Sequence, residues 1–198
     1  MRTVIVSNIV SVDGSFEGPG GDVMALNMDA AFDAYNLERI RAAGSVLLGR
    51  RSFEGFSSYW PKIADAPVDP LDRALSDDNR ELSRRYDPLP KIVVSDGLVV
   101  PVDNPWHDVT TVVPRAAAAA TVTAEKQRGA GDILVFASRT MWNGLLAQGR
   151  VDEIHLMVGP RALPGGTPAF GGPTDLRLLD VRQFEGSDNV LLRYAVPR

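Results

Sequence analysis

An apolar run, Val46-Leu47-Leu48, stops at Gly49 and gives way to Arg50, Arg51 and Ser52. These four residues combine the pieces that hold a phosphate. Glycine lets a ligand approach the backbone, and a helix starting there presents unpaired N–H groups. Two guanidinium groups and a hydroxyl add charge and donors. The plainer alternative is a solvated basic turn after a core strand. A second junction of the same kind lies downstream, where Asp132-Ile133-Leu134-Val135-Phe136-Ala137 runs into Ser138-Arg139-Thr140. Two such junctions favour a ligand with several phosphates, a dinucleotide, over a single anion site. Other candidates for chemistry are sparse. Asp29 and Asp33 lie one helical turn apart, where the ordinary role of an acid is to partner the helix dipole and the alternative is contact with a substrate. His107 and His155 are far apart in sequence, so no histidine-rich metal site is expected, and His155 reads as a structural strand residue. The chain has no cysteine, which excludes disulfides, thiolate metal sites and cysteine nucleophiles.

The elements that must position these residues follow from patterning. Thr3–Val12 is β-branched and apolar and predicts a central strand, closed by Asp13-Gly14. Gly18-Pro19-Gly20-Gly21 marks a loop, either a connector or a lid over a pocket at the end of that strand. Residues 29–43 predict a helix with Asn27 or Asp29 as cap and Gly44 as stop. Phe53, Phe56, Tyr59 and Trp60 form an aromatic cluster of core or pocket-wall type. Residues 62–87 read as a polar surface excursion with a short helix near 78–85. Lys91–Ser95 and Val109–Val113 read as strands, Arg115–Gly129 as a helix, and 139–148 as a helix with Ser138 as N-cap and Gly149 as stop. Val151–Gly159 is a strand, and 176–184 with 190–196 form a terminal hairpin. Strands alternating with helices and closing on a hairpin predict an α/β fold. The central sheet is mixed and mostly parallel, of about eight strands with helices on both faces, and fills one domain over 1–198.

The totals narrow the function. With 198 residues, 44% hydrophobic and 23% charged, the chain has the balance of a globular protein, and a net charge of -4 argues against a nucleic-acid partner. No apolar run approaches membrane-spanning length and no signal-peptide layout opens the chain, so a cytoplasmic protein is expected. G-x-G-x-x-G after a strand, G-x-x-x-x-G-K-[ST] and G-x-S-x-G are all missing, so a nucleotide site must use another α/β scaffold.

The order of pieces resembles the dihydrofolate reductase-like superfamily, in particular the riboflavin-biosynthesis reductase (RibD C-terminal domain) family and its stand-alone members. The resemblance rests on Ser11-Val12-Asp13-Gly14, Leu47-Leu48-Gly49-Arg50-Arg51-Ser52, Lys91-Ile92-Val93-Val94-Ser95, Asp132 to Ser138, Val151-Asp152-Glu153-Ile154, and Pro160 with Gly165-Gly166 before Phe170. It covers nearly the whole chain. It implies a three-layer fold, NADPH as cofactor, and hydride transfer to a small heterocyclic, pterin- or pyrimidine-like substrate. By that resemblance Gly49, Arg50, Arg51 and Ser52 meet the cofactor phosphates, and Ser95 lies near the adenosine. Ala137, Ser138, Arg139 and Thr140 hold the pyrophosphate, and Asp13 borders the nicotinamide and substrate. Asp33, or Asp29 one turn earlier, matches the acid that contacts the pterin in dihydrofolate reductases. Where the family carries two glycines, or glycine then serine, this chain has Ala137-Ser138, a Cβ against the cofactor at a pair that adopts a cis peptide in dihydrofolate reductases. A homodimer is also implied. The rival readings are the uracil reductase step of riboflavin biosynthesis itself, and a protein of the same fold that binds a nucleotide without turnover.

Overall fold

The computed structural model describes residues 1–69 and 71–197. One eight-stranded sheet carries the fold. Its strands in chain order are β1 (Val4–Val10), β3 (Ala43–Gly49), β4 (Lys91–Val94), β5 (Thr110–Val113), β6 (Asp132–Phe136), β7 (Glu153–Val158), β9 (Arg177–Gln183) and β10 (Val190–Ala195); β2 (Ser15–Glu17) and β8 (Thr167–Pro168) pair separately as a short ribbon. The order is β5-β4-β3-β6-β1-β7-β10-β9. The pairs from β5 to β7 are parallel, and β10 is antiparallel to both β7 and β9. All seven residues of β1 are buried, as a central strand covered on both faces requires.

Strand alternation sorts the core into two faces. Val4, Val6, Leu47, Ile133 and Val135 face one side, under α4 (Ala118–Glu125) and α5 (Arg139–Leu146) through Val122, Trp142 and Leu145. Ile5, Val46, Leu48, Leu134 and Phe136 face the other. There they meet α1 (Ala30–Ala42), α2 (Arg50–Tyr59) and α3 (Asp77–Tyr86) through Leu37, Phe53 and Leu82.

Three sequence expectations change. Gly44 does not end α1: the helix closes at Ala42, and Ala43 in extended conformation already begins β3. Gly44 is needed for another reason, because a Cβ on it would lie 1.9 Å from the Ala130 carbonyl oxygen. The 62–87 segment is not all surface. Its helix α3 is capped by Ser76, and Tyr86 and, farther on, Trp106 are fully buried. The alanine-rich segment is also shorter than expected. It opens as a 3-10 turn, Arg115–Ala117, and the α-helix ends at Glu125.

Candidate functional site

β3 and β6 are neighbours in the sheet, yet their following helices leave to opposite faces, α2 to one and α5 to the other. Such a switch point opens a crevice at the carboxyl ends of the strands. A cleft of about 800 Å³ lies there. Its lining includes Gly49, Arg50, Arg51 and Ser52 from the first junction and Ala137, Ser138, Arg139 and Thr140 from the second. The sheet thus brings together, from residues nearly ninety positions apart, eight of the residues singled out in the sequence.

The helix ends differ in a telling way. Asp29 caps α1 and Ser76 caps α3 by accepting from first-turn N–H groups. The 3-10 turn before α4 gives its Arg115 N–H to the Asp96 carboxylate at 2.9 Å. The first turns of α2 and α5, which line the cleft, have no side-chain cap. Their free amides and positive dipole ends suit an anion. Ser138, expected as the cap of α5, stands at the N-cap position but does not cap. Its backbone is left-handed, and its Oγ accepts from the Gly49 N–H at 3.0 Å. In return the Ser138 N–H donates to Ser52 Oγ at 3.0 Å. The two serines clasp the junctions together.

Ala137 and Ser138 both have positive φ, 47° and 55°, and no peptide bond among the described residues is cis. Left-handed backbone costs an L-residue roughly 1–2 kcal/mol, so the strain sits at the cleft wall. A Cβ on Gly49 would find its nearest protein neighbour at 3.6 Å, an ordinary contact. Packing inside the chain therefore leaves room there that a ligand lying close to the backbone can use. Arg50 pairs with Glu54 one turn on, whereas Arg51 has no ion pair among the described residues. Arg139 Nε donates to the Pro168 carbonyl.

The remaining sequence candidates lie outside this lining. Ser95 Oγ accepts from the N–H groups of Gly97 at 3.3 Å and Leu98 at 3.1 Å, which makes it a turn residue beside the cleft-lining Val94. Asp13 accepts from Ser11 Oγ and from the Leu163 N–H at 3.0 Å. These bonds lower its pKa and tie the first strand's exit to the loop after β7. Asp33 is buried on the first turn of α1 and accepts from Arg73 and, at 3.1 Å, from Asn79 Nδ2. Burial raises its pKa while Arg73 and Asn79 pull it down. Because α1 runs straight into β3, its first turn sits at the carboxyl edge of the sheet, the same edge as the cleft. Asp29 serves as the cap of α1.

Sequence reasoning missed Phe16, Glu17, Val23, Arg115 and Thr167, which also line the cleft. Glu17 accepts from Thr167 Oγ1 at 2.9 Å, which locks the β2–β8 ribbon that forms one wall. Only Gly18-Pro19-Gly20-Gly21 hinted at this wall. His155 is fully buried between Tyr35 Oη and Glu153, each at 2.8 Å, and burial pushes its pKa down to about 4. It is a structural residue, as its place in a buried strand suggests.

No curated protein sequence matches the chain. Among solved structures, Acinetobacter baumannii RibD aligns at TM-score 0.69 with 16% identity, over 100% of this chain and 58% of that one. A Thermotoga maritima diaminohydroxyphosphoribosylaminopyrimidine deaminase/5-amino-6-(5-phosphoribosylamino)uracil reductase aligns at 0.65 with 12% identity, over 99% and 57%. Enterococcus faecalis dihydrofolate reductase, solved with NADP(H), aligns at 0.59 with 12% identity, over 99% and 97%. The fold is therefore dihydrofolate reductase-like. A family model described as the RibD C-terminal domain matches residues 2–191, and the chain belongs to that family.

Proposed function

We propose that the chain is an NADPH-dependent reductase that acts on a small heterocyclic, pterin- or pyrimidine-like substrate in the cytoplasm. The observation that carries this reading is the pair of uncapped helix N-termini, α2 and α5, facing one cleft across the switch point. In this reading their amides hold the pyrophosphate. Arg51, which has no ion pair among the described residues, takes the ribose phosphate, and the serine clasp fixes the distance between the two helix ends. The β2–β8 ribbon with Phe16 and Val23 walls the nicotinamide side and keeps water out. Bound NADPH supplies the hydride. The proton comes from Asp33 or from water, and burial of Asp33 favours the protonated carboxyl that such a role needs. Arg73 occupies that carboxylate, so a basic group of the substrate or a shift of Arg73 must free it. The family match and the NADP(H) complex of the E. faecalis relative support the cofactor assignment.

The uracil reductase step is the second reading, favoured by the A. baumannii and T. maritima relatives. Both readings share the cofactor. Titration with NADPH and with NADH, followed through the fluorescence of the three tryptophans, tests that shared part first. NADPH should bind more tightly, and Arg51→Ala should weaken it at least tenfold, about 1.4 kcal/mol. No binding of either nucleotide would sink the reductase reading. Steady NADPH oxidation with a candidate heterocycle would then separate an enzyme from a nucleotide-binding protein without turnover.

A further inference from the structure

Among the described residues, two carboxylates line the cleft, Glu17 and Glu54. Glu54 is answered within its own helix by Arg50 at 2.8 Å. Glu17 has no ion pair among the described residues. Its Oε1 accepts from Thr167 Oγ1 at 2.9 Å, and its Oε2 accepts from no group among the described residues. A cleft built around two helix N-termini, with Arg51 and Arg139 in its lining, gathers positive charge for phosphates. A carboxylate without a counter-ion works against them there, so its presence calls for another reason.

The surroundings of Glu17 supply one. A Cβ on Gly21 would lie 3.8 Å from Arg51 Nη2 and 3.8 Å from Glu17 Oε2, so the guanidinium and the carboxylate border the same spot without pairing. When a phosphate answers Arg51, Glu17 is left as the uncompensated charge of this wall. Its neighbours in the lining are apolar: Phe16 packs against the core, and Val23 comes from the turn after β2. A charge beside apolar side chains is weakly screened. The Thr167 bond holds the carboxylate in place, so its field is set before a ligand arrives.

A nicotinamide that gives up a hydride, one proton with two electrons, becomes cationic, while the acceptor takes the hydride and then a proton. Of the parts of such a dinucleotide, the phosphates are repelled by Glu17, and the reduced ring is neutral. The oxidised ring alone carries the charge that Glu17 complements.

We propose that the Glu17 carboxylate favours the oxidised, cationic form of the bound nicotinamide cofactor over the reduced form, and thereby eases departure of the hydride. Thr167 is its positioning residue. This assignment rests on the reductase reading and adds to it a source of driving force within the chain. Isothermal titration calorimetry with NADPH and, separately, with NADP+ gives two dissociation constants and their ratio, with no substrate needed. Glu17→Gln keeps the size and can still accept from Thr167, but it carries no charge. It should weaken NADP+ relative to NADPH by about fivefold, as expected for one charge at a partly screened site. Glu17→Lys should move the ratio further in the same direction, and it is read in the same way if Glu17→Gln does not fold. Glu54→Gln removes a charge from the same cleft but from α2, and should leave the ratio unchanged. Each ratio compares two forms on one protein, so a loosened ribbon that weakens both alike cancels. A parent chain that binds neither nucleotide overturns the reductase reading and this assignment with it. A parent chain that binds both, with a ratio that Glu17→Gln leaves unchanged, overturns this assignment alone. So does an equal shift in Glu54→Gln, which would trace the effect to the overall charge of the cleft.

Discussion

Ala137 and Ser138 hold left-handed backbone without being glycine, and both face the cleft. Ser138 is kept for its side chain, which accepts from Gly49, but the methyl of Ala137 has no comparable task. Ala137→Gly removes the steric cost of φ 47°. It should stabilise the fold by about 1 kcal/mol, measured by urea unfolding, and should tighten NADPH binding by opening the wall to the backbone. His155 gives a second prediction at this scale. Burial, above all, pushes its pKa in the folded chain down to about 4, below the ordinary 6.5 of histidine. The unfolded chain therefore binds the proton more readily. Stability from this group is present above pH 6.5 and is lost as pH falls toward 4, with a slope of up to about 1.4 kcal/mol per pH unit. His155→Gln should flatten that slope between these limits in urea unfolding at stepped pH; an unchanged slope would assign the loss to other groups.

At the scale of elements, the turn from α1 into β3 shows how a sequence signal can be right about a residue and wrong about its reason. A glycine after a helical pattern reads as a C-cap. The chain instead passes from Ala42 to Ala43 without a left-handed residue, and Gly44 is required where the β3 backbone packs against Ala130. Gly131, at φ 76°, completes the contact from the bend before β6, since its own Cβ would come within 2.6 Å of the Gly44 nitrogen. Gly44→Ala should therefore cost about 1–3 kcal/mol as an overpacked contact, seen as a lower thermal midpoint. Fraying of α1 in amide exchange with an unchanged midpoint would restore the capping role. Ser138 gives the same lesson at α5. Its type predicts a cap, but the neighbouring strand end supplies Gly49 N–H as a stronger claimant on its Oγ.

At the scale of the whole molecule, the alternation of strands and helices, the burial of the first strand and both junctions were legible in the sequence. They rest on local chemistry: β-branched runs, hydroxyls and arginines after a strand, and glycine at turns. Eight of the residues so singled out line one cleft. What the sequence did not disclose is where distant residues meet. Asp13 and Ser95, which the family resemblance put at the site, also hold a loop and a turn through their side-chain oxygens. Arg73 reaches Asp33 across forty residues, and Thr167 reaches Glu17 across a hundred and fifty. Trp106 lies in a segment without strong patterning, yet it is fully buried against Tyr86, with Lys91 Nζ 4.2 Å from its ring centroid. The sequence by itself determined the elements and the glycine, arginine and hydroxyl make-up of two helix starts, because both follow from residues adjacent along the chain. Only the tertiary structure decided that β3 and β6 lie side by side with their helices on opposite faces. Strand order is set by packing between segments far apart in sequence, and that order brings two separate helix ends to one cleft.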